Sequence, residues 1–275
     1  MQHFLQLVAS VVLLTATVTQ PTLANEQAGD QPPQARIYRR DMSKLPHVNN
    51  AKIQVVKGKE IIDEQGKRHC AFHVKLTRNP GEPIKVARQV SYDPQTCSWE
   101  VEFGEVDQIE DASGSGSSTT TPAIPIDAML PPGRRKDSST PGVMATNIGG
   151  FTAATLDPLG ITTNETKAIG RWDYDPNQYK VIGLSGECRY WWLTESGWWK
   201  HSNNCTQNWG WGDFTVTSNA TFKNQWFCDS TAITNVYYSN ATFKGDAAGR
   251  KQGWIDAMWD DGDCAYMLWQ NSYLQ

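Results

Sequence analysis

Ser218-Asn219-Ala220-Thr221-Phe222-Lys223 recurs 21 residues later as Ser239-Asn240-Ala241-Thr242-Phe243-Lys244. That offset suits two short strands with their turns, and two copies are too few for a solenoid. The pair predicts equivalent strands of one sheet. The surrounding chain has the same texture. Short segments rich in Trp, Tyr, Val, Ile and Thr alternate with turn signals: Asp173-Tyr174-Asp175-Pro176-Asn177, Ser185-Gly186, Ser196-Gly197, Gly210, Gly212 and Asp261-Gly262. No amphipathic helix of ten or more residues interrupts them. Residues 142–275 therefore read as an antiparallel, all-β sandwich or barrel. Its clearest hairpin is expected at the end, where Trp254–Trp259 and Cys264–Trp269 flank Asp260-Asp261-Gly262-Asp263. Asp-Gly suits a type I′ turn there.

Upstream, Cys70, Phe72, Val74 and Leu76 alternate with His69, Ala71, His73 and Lys75, and Cys97, Trp99, Val101 and Phe103 alternate with Ser98, Glu100 and Glu102. Successive side chains on a strand point to opposite faces, so each run has one apolar face headed by a cysteine. Ile84, Val86 and Val90 supply a weaker strand between them. Residues 51–107 are expected to be a small β unit stapled by Cys70–Cys97, since so short a unit needs a cross-link.

The 275-residue chain carries 39% hydrophobic and 20% charged residues and a net charge of −4, which excludes disordered and collagen-like classes and leaves no nucleic-acid footprint. Residues 1–24 read as a signal peptide, with a short apolar run from Phe4 to Leu14 and small residues at Thr22-Leu23-Ala24, although Met1-Gln2-His3 carries no basic residue. No later apolar run is long enough to span a membrane. All six cysteines, at 70, 97, 188, 205, 228 and 264, lie downstream, and an even count in an exported chain reads as disulfides. For the last four, Cys188–Cys205 and Cys228–Cys264 are the favoured pairs among three connectivities. Residues 25–50 form a lead-in without apolar period. Residues 108–141 are a Ser/Thr/Gly/Pro-rich linker, in which Arg134-Arg135-Lys136 is an exposed basic cluster.

The Cys-bearing segment Ser91-Tyr92-Asp93-Pro94-Gln95-Thr96-Cys97, followed by a Trp-rich tail with Ala220-Thr221-Phe222-Lys223-Asn224 and Phe227-Cys228, resembles secreted Trp- and Cys-rich proteins of Gram-positive-type bacteria. The resemblance implies export and a β fold, and no activity.

Catalytic signatures are weak. Gly183-Leu184-Ser185-Gly186-Glu187 lacks the second glycine of a nucleophile elbow, and His201 is the one histidine of residues 142–275. His69 and His73, about 13 Å apart on a strand, cannot share a metal, and read as exposed polar-face residues. Asp260, Asp261 and Asp263 lack the spacing of a calcium loop. Glu187, Glu195, Asp213, Asp229 and Asp256 are available for a glycosidase-type carboxylate pair. Neither a metal nor another cofactor is expected. The tryptophans are the stronger signal, since eleven of the twelve lie after residue 141. Trp191-Trp192 and Trp198-Trp199 are adjacent pairs, so one ring of each faces away from the core. Trp209 and Trp211 share a face beside Gly210 and Gly212. Exposed aromatic clusters mark binding sites. The expected function is non-catalytic binding of polysaccharide or cell-envelope glycan through Trp192, Trp199, Trp209 and Trp211, supported by Tyr190 and Asp213. The alternatives are a secreted glycosidase, or an extracellular structural or inhibitory protein with a protein partner. Asn164, Asn204, Asn219 and Asn240 head N-x-[ST] sequons, which require exposure if they are to be glycosylated.

Overall fold

The computed structural model describes residues 47–108, 144–227, 232–262 and 264–275. The expected signal peptide, nearly all of the lead-in and of the linker, and Cys228, Asp229 and Asp263 lie outside the described residues.

Two antiparallel sheets face each other. The first has β1 (Asn49–Lys57), β5 (Ser98–Val106), β4 (Ile84–Asp93), β13 (Trp269–Leu274), β6 (Ala145–Leu156), β7 (Thr162–Asp175) and β8 (Lys180–Trp192), in that spatial order. The second has β2 (Lys59–Ile62), β3 (Arg68–Arg78), β12 (Lys251–Asp261), β11 (Thr234–Asp246), β10 (Asp213–Asn224) and β9 (Trp198–Trp209). Single 310 turns at Thr194–Ser196 and Ala265–Met267 are the helical elements among the described residues. Of the antiparallel sandwich or barrel expected for residues 142–275, a pair of facing sheets forms, and strands from residues 49–106 belong to both.

The core lies between the sheets and follows strand parity. Along β10, Phe214, Val216, Ser218, Ala220, Phe222 and Asn224 are buried, while the residues between them are partly exposed. Phe72, Val74 and Leu76 point inward from β3 as their alternation requires, and Trp99 and Val101 from β5. Trp172 sits 5.1 Å from Phe214 and 5.9 Å from Phe243, ring centre to ring centre. Two glycines make room for this cluster. A Cβ at Gly170 or Gly245 would come within 2.5 or 2.6 Å of the Phe214 ring. Each large buried ring contributes roughly 1.5–3 kcal/mol, so this aromatic layer is a main source of cohesion.

The hexapeptide repeat forms the adjacent strands β10 and β11, as expected. Its two copies run antiparallel and cross at their asparagines. Ser218 opposes Ala241 and Ala220 opposes Tyr238, with a bulge between. There Asn240 takes a left-handed backbone (φ 53°), and its N–H donates to Asn219 Oδ1 at 2.8 Å.

Two expectations are corrected. Residues 51–107 do not close on themselves, because β3 pairs with β12 (Val74 opposite Ile255) and β4 with β13 (Arg88 opposite Asn271). In β4 the four consecutive residues Val86 to Gln89 are all buried. A strand covered on both faces needs neighbours that a five-strand unit cannot supply. The terminal hairpin is also absent. After Asp261 the chain leaves the second sheet, passes through the 310 turn, and enters the first sheet as β13, between β4 and β6. Gly262 (φ 119°) permits that change of direction beside the Ile233 carbonyl.

Both described disulfides connect the two sheets. Cys70 of β3 joins Cys97 in the β4–β5 turn, and Cys188 of β8 joins Cys205 of β9, with Cα separations of 5.4 and 5.8 Å. Cys264 is also disulfide-bonded, while its expected partner Cys228 lies outside the described residues.

Shared sheets have a thermodynamic consequence. A fragment of residues 144–275 loses the neighbours of β12 and β13, so it is expected to lack a cooperative urea transition by tryptophan fluorescence. The full chain is expected to show a single one. A cooperatively folding fragment would contradict the pairing described above.

Candidate functional site

The sandwich has two ends, and the expected tryptophan site divides between them. Trp192 and Trp199 lie at the end where β8 passes into β9. Trp209, Trp211 and Asp213 lie at the other, beside the β9–β10 turn. Ten residues of extended strand separate Trp199 from Trp209, about 33 Å. Tyr190, two positions before Trp192, is not a surface residue. It is 3% exposed, and its hydroxyl donates to the Asn204 carbonyl across the sheets at 3.0 Å. Trp192 is half-buried, with its ring 6.3 Å from Phe222. The Lys200 ammonium lies 5.0 Å from the Tyr190 ring and 5.7 Å from the Trp192 ring. Trp198 is buried and its neighbour Trp199 half-exposed, as the parity of an adjacent pair requires.

At the β9–β10 end, Trp209, Trp211 and a residue the sequence did not suggest, Tyr179, are 45, 66 and 48% exposed. The backbone brings them together. Gly210 N–H donates to Asp213 O and closes the turn at 2.8 Å, and Val181 N–H reaches the Trp211 carbonyl at 2.8 Å. Gly212 lets the Tyr179 ring approach, since a Cβ there would meet its Cε1 at 2.9 Å. Lys180 places its ammonium 4.3 Å from the Trp211 ring. Asp213 pairs with Lys244 at 2.6 Å, and Arg250 bonds Asp246 at 2.7 Å and the Tyr179 hydroxyl at 3.3 Å. The bond to Asp246 holds the Arg250 guanidinium above its ordinary range. The result is an exposed aromatic corner rimmed by charges that neutralise one another.

A groove of about 320 Å³ crosses the second sheet. Tyr237 and Trp259 stack in it with ring centres 4.7 Å apart, and Asn204, Asn219, Thr221 and Ser239 supply amides and hydroxyls.

A third feature lies at the opposite end of the sandwich from the aromatic corner. Arg68, His69, Tyr92, Trp99, Asp260 and Gln270 line a cavity of about 150 Å³ between the sheets. Burial pushes the Asp260 carboxyl up to about 7, against the lowering effect of the bond from Gln270 Nε2 at 2.9 Å. Tyr92, stacked on Trp99 at 4.1 Å, is pushed by burial to about 12. In the sequence Asp260 is legible only as part of an acidic run, and nothing announces this cavity, whose lining runs from Arg68 to Gln270.

Nearby, Asp63, His69 and Asp261 offer ligand atoms within 4.8 Å of one another. Their bonding is internally complete. His69 and Asp63 are hydrogen-bonded at 2.8 Å, Asp63 also caps the β2–β3 turn, and the Lys67 ammonium sits on Asp261. His69 is thus buried and paired, not exposed as expected, whereas His73 is exposed and bonds the Ile255 carbonyl.

Of the carboxylates considered for glycosidase chemistry, three are each held by a separate partner. Glu187 pairs with Arg189, Asp213 with Lys244, and Asp256 accepts from Asn240. None of them lines the cavity or the groove. Asn164 is wholly buried, with its side-chain oxygen receiving the Tyr238 hydroxyl at 2.6 Å, so its sequon is inaccessible in the folded chain. Asn204 and Asn240 are exposed and Asn219 is partly so.

The raised Asp260 predicts a pH dependence. The folded state holds this proton up to about 7 and the unfolded chain only to about 3.8. Stability is therefore lost as pH rises through that window, by up to about 4 kcal/mol, and levels off above it. Asp260→Asn is expected to flatten this part of the profile in urea melts taken across the window, and an unchanged slope would show that Asp260 titrates normally.

Compared with known proteins, the chain matches no protein-family model, no curated protein and no solved structure.

Proposed function

We propose that this is an exported, non-catalytic protein that binds polysaccharide or cell-envelope glycan through the corner formed by Tyr179, Trp209 and Trp211. The observation that carries this reading is the exposure of Tyr179, Trp209 and Trp211 at one end of the sandwich, around the β7–β8 and β9–β10 turns; Trp226, 74% exposed, stands apart from them beside Gly197. Apolar ring faces flanked by hydrogen-bonding groups suit the C–H faces and hydroxyls of a sugar, and an exposed aromatic patch on a folded domain generally marks a binding surface. Asp213, Lys244 and Arg250 stand beside the rings as donors and acceptors. Of the residues expected from sequence, Trp209, Trp211 and Asp213 belong to this surface; Tyr190, Trp192 and Trp199 do not.

Export is supported by two disulfides and by the absence, among the described residues, of a helix long and apolar enough to cross a membrane. A non-catalytic role is supported by the separate ion pairs that hold Glu187 and Asp213.

Affinity electrophoresis through gels containing soluble glucans, mannans or chitin oligomers tests the reading. At least one glycan is expected to retard the wild type. Trp209→Ala/Trp211→Ala is expected to abolish the retardation and leave the unfolding midpoint within a few degrees, because neither ring is in the core; a core Trp→Ala would cost about 3–5 kcal/mol. Trp259→Ala in the groove serves as the second arm. Loss of retardation only in that variant would move the site to the groove, and a wild type indifferent to every glycan would end the proposal.

A further inference from the structure

The switch from β12 to β13 shapes the cavity between the sheets, and its polar groups are unbalanced. Gln270 is 3% exposed, and its Nε2 donates to Asp260 Oδ2, but its Oε1 has no partner among the described residues. Gln89 Oε1 accepts the Gln270 backbone N–H at 3.2 Å and keeps a second lone pair. The basic side chains that line the space already bond carboxylates. Arg68 grips Glu60 through two bonds of 3.1 and 2.6 Å, and His69 is bonded to Asp63. Asp260 meets no cation among the described residues. What remains is one carboxyl without a cation, two amide oxygens close by, the unpartnered indole N–H of Trp99, and Tyr92 and Leu268 in the walls. Such a space calls for a ligand that brings N–H donors and positive charge on little carbon.

We infer that this cavity binds a small primary ammonium group, with Asp260 as its counter-ion and Gln270 Oε1 as its second acceptor. A primary ammonium carries three donors and no acceptor, which complements the acceptors on Asp260, Gln270 and Gln89; the Trp99 indole N–H in the same lining is a donor without a partner among the described residues. Its bond to an ionised carboxylate is of the strong, charge-assisted kind, and aromatic walls tolerate a cation. A cavity of about 150 Å³ admits a molecule the size of benzene, so the head group fits with a short alkyl chain. A free alkylamine and the side chain of a lysine on a partner present the same group. This site is distinct from the aromatic corner and does not depend on the glycan reading.

The test is an NMR titration of the full chain at about pH 8, where the Asp260 carboxyl is ionised. Ethylammonium chloride is the probe. Ethanol is the neutral match, tetramethylammonium chloride the cation without N–H donors, and Nα-acetyl-lysine methylamide the lysyl form. Ethylammonium is expected to produce saturable shifts of the Gln270 side-chain amide and the Trp99 indole N–H at millimolar concentration. Ethanol and tetramethylammonium should bind at least about tenfold more weakly, and Asp260→Asn should lose at least about tenfold. Ala265→Leu, which fills the space from the 310 turn without touching a polar group, should abolish the shifts even if Asp260→Asn does not fold. Equal or tighter binding of the lysine derivative supports the inference and assigns the ligand to a partner protein; binding of ethylammonium alone supports it and assigns a free amine. Absence of saturation would mean a cavity occupied by water only. That result, ethanol binding as well as ethylammonium, or undiminished binding by Asp260→Asn would each overturn the inference.

Discussion

Six residues at the end of the chain, Trp269–Leu274, hold the first sheet together. As β13 they pair with β4 on one side and with β6 on the other, so strands separated by some sixty positions in sequence become neighbours through them. Without β13 the first sheet falls into β1-β5-β4 and β6-β7-β8. Everything else in the architecture follows from this insertion. To reach its place, the chain must leave β12 in the second sheet and cross to the first, and that crossing shapes the cavity. The N-terminal strands are in turn drawn into both sheets. Long-range pairing of this kind is entropically expensive to assemble, and two disulfides that cross from sheet to sheet limit the freedom of the unfolded chain.

The sequence was informative about faces and poor about neighbours. Alternation identified the inward residues of β3 and β5, and the hexapeptide repeat identified β10 and β11 as strands of one sheet. Both features depend on side-chain parity, which is local. The Cys70–Cys97 pair could be inferred because each cysteine heads an apolar face, yet the bond joins two sheets and does not staple a separate unit. β13 was misread for a physical reason. Its Gln270, Asn271 and Ser272 are buried, so its composition gives no sign of a central strand, and Asp261-Gly262 just upstream has the chemistry of a hairpin turn. Parity says which way a residue points, but only the pairing partner says which sheet it belongs to.

The same distinction explains the binding residues. Trp209 ends β9 and Trp211 lies in the β9–β10 turn, so both stay at one end of the sandwich. Trp192 and Trp199 are close in sequence to Trp209, but an extended strand carries them to the other end of the sandwich. Tyr179 joins the corner through the β7–β8 turn, from a strand in the opposite sheet, and no local pattern announces it. The cavity is the extreme case, since it joins Arg68 of β3, Tyr92 of β4 and Gln270 of β13.

The character of that cavity separates a packing fault from a site. A void of about 150 Å³ in an apolar core would cost on the order of 3–4 kcal/mol, and a larger residue at Ala265 or a closer approach of the turn would remove it. Neither correction is made here. The space is bordered by an acid raised in pKa and by an amide oxygen left without a partner, both of which add to the cost of keeping it. Cys70 lies in its lining, and its bond to Cys97 ties the β4–β5 turn to β3. A space lined by an acid without a cation and an amide oxygen without a partner is difficult to account for as packing alone, and follows directly if the space is completed by a positively charged donor.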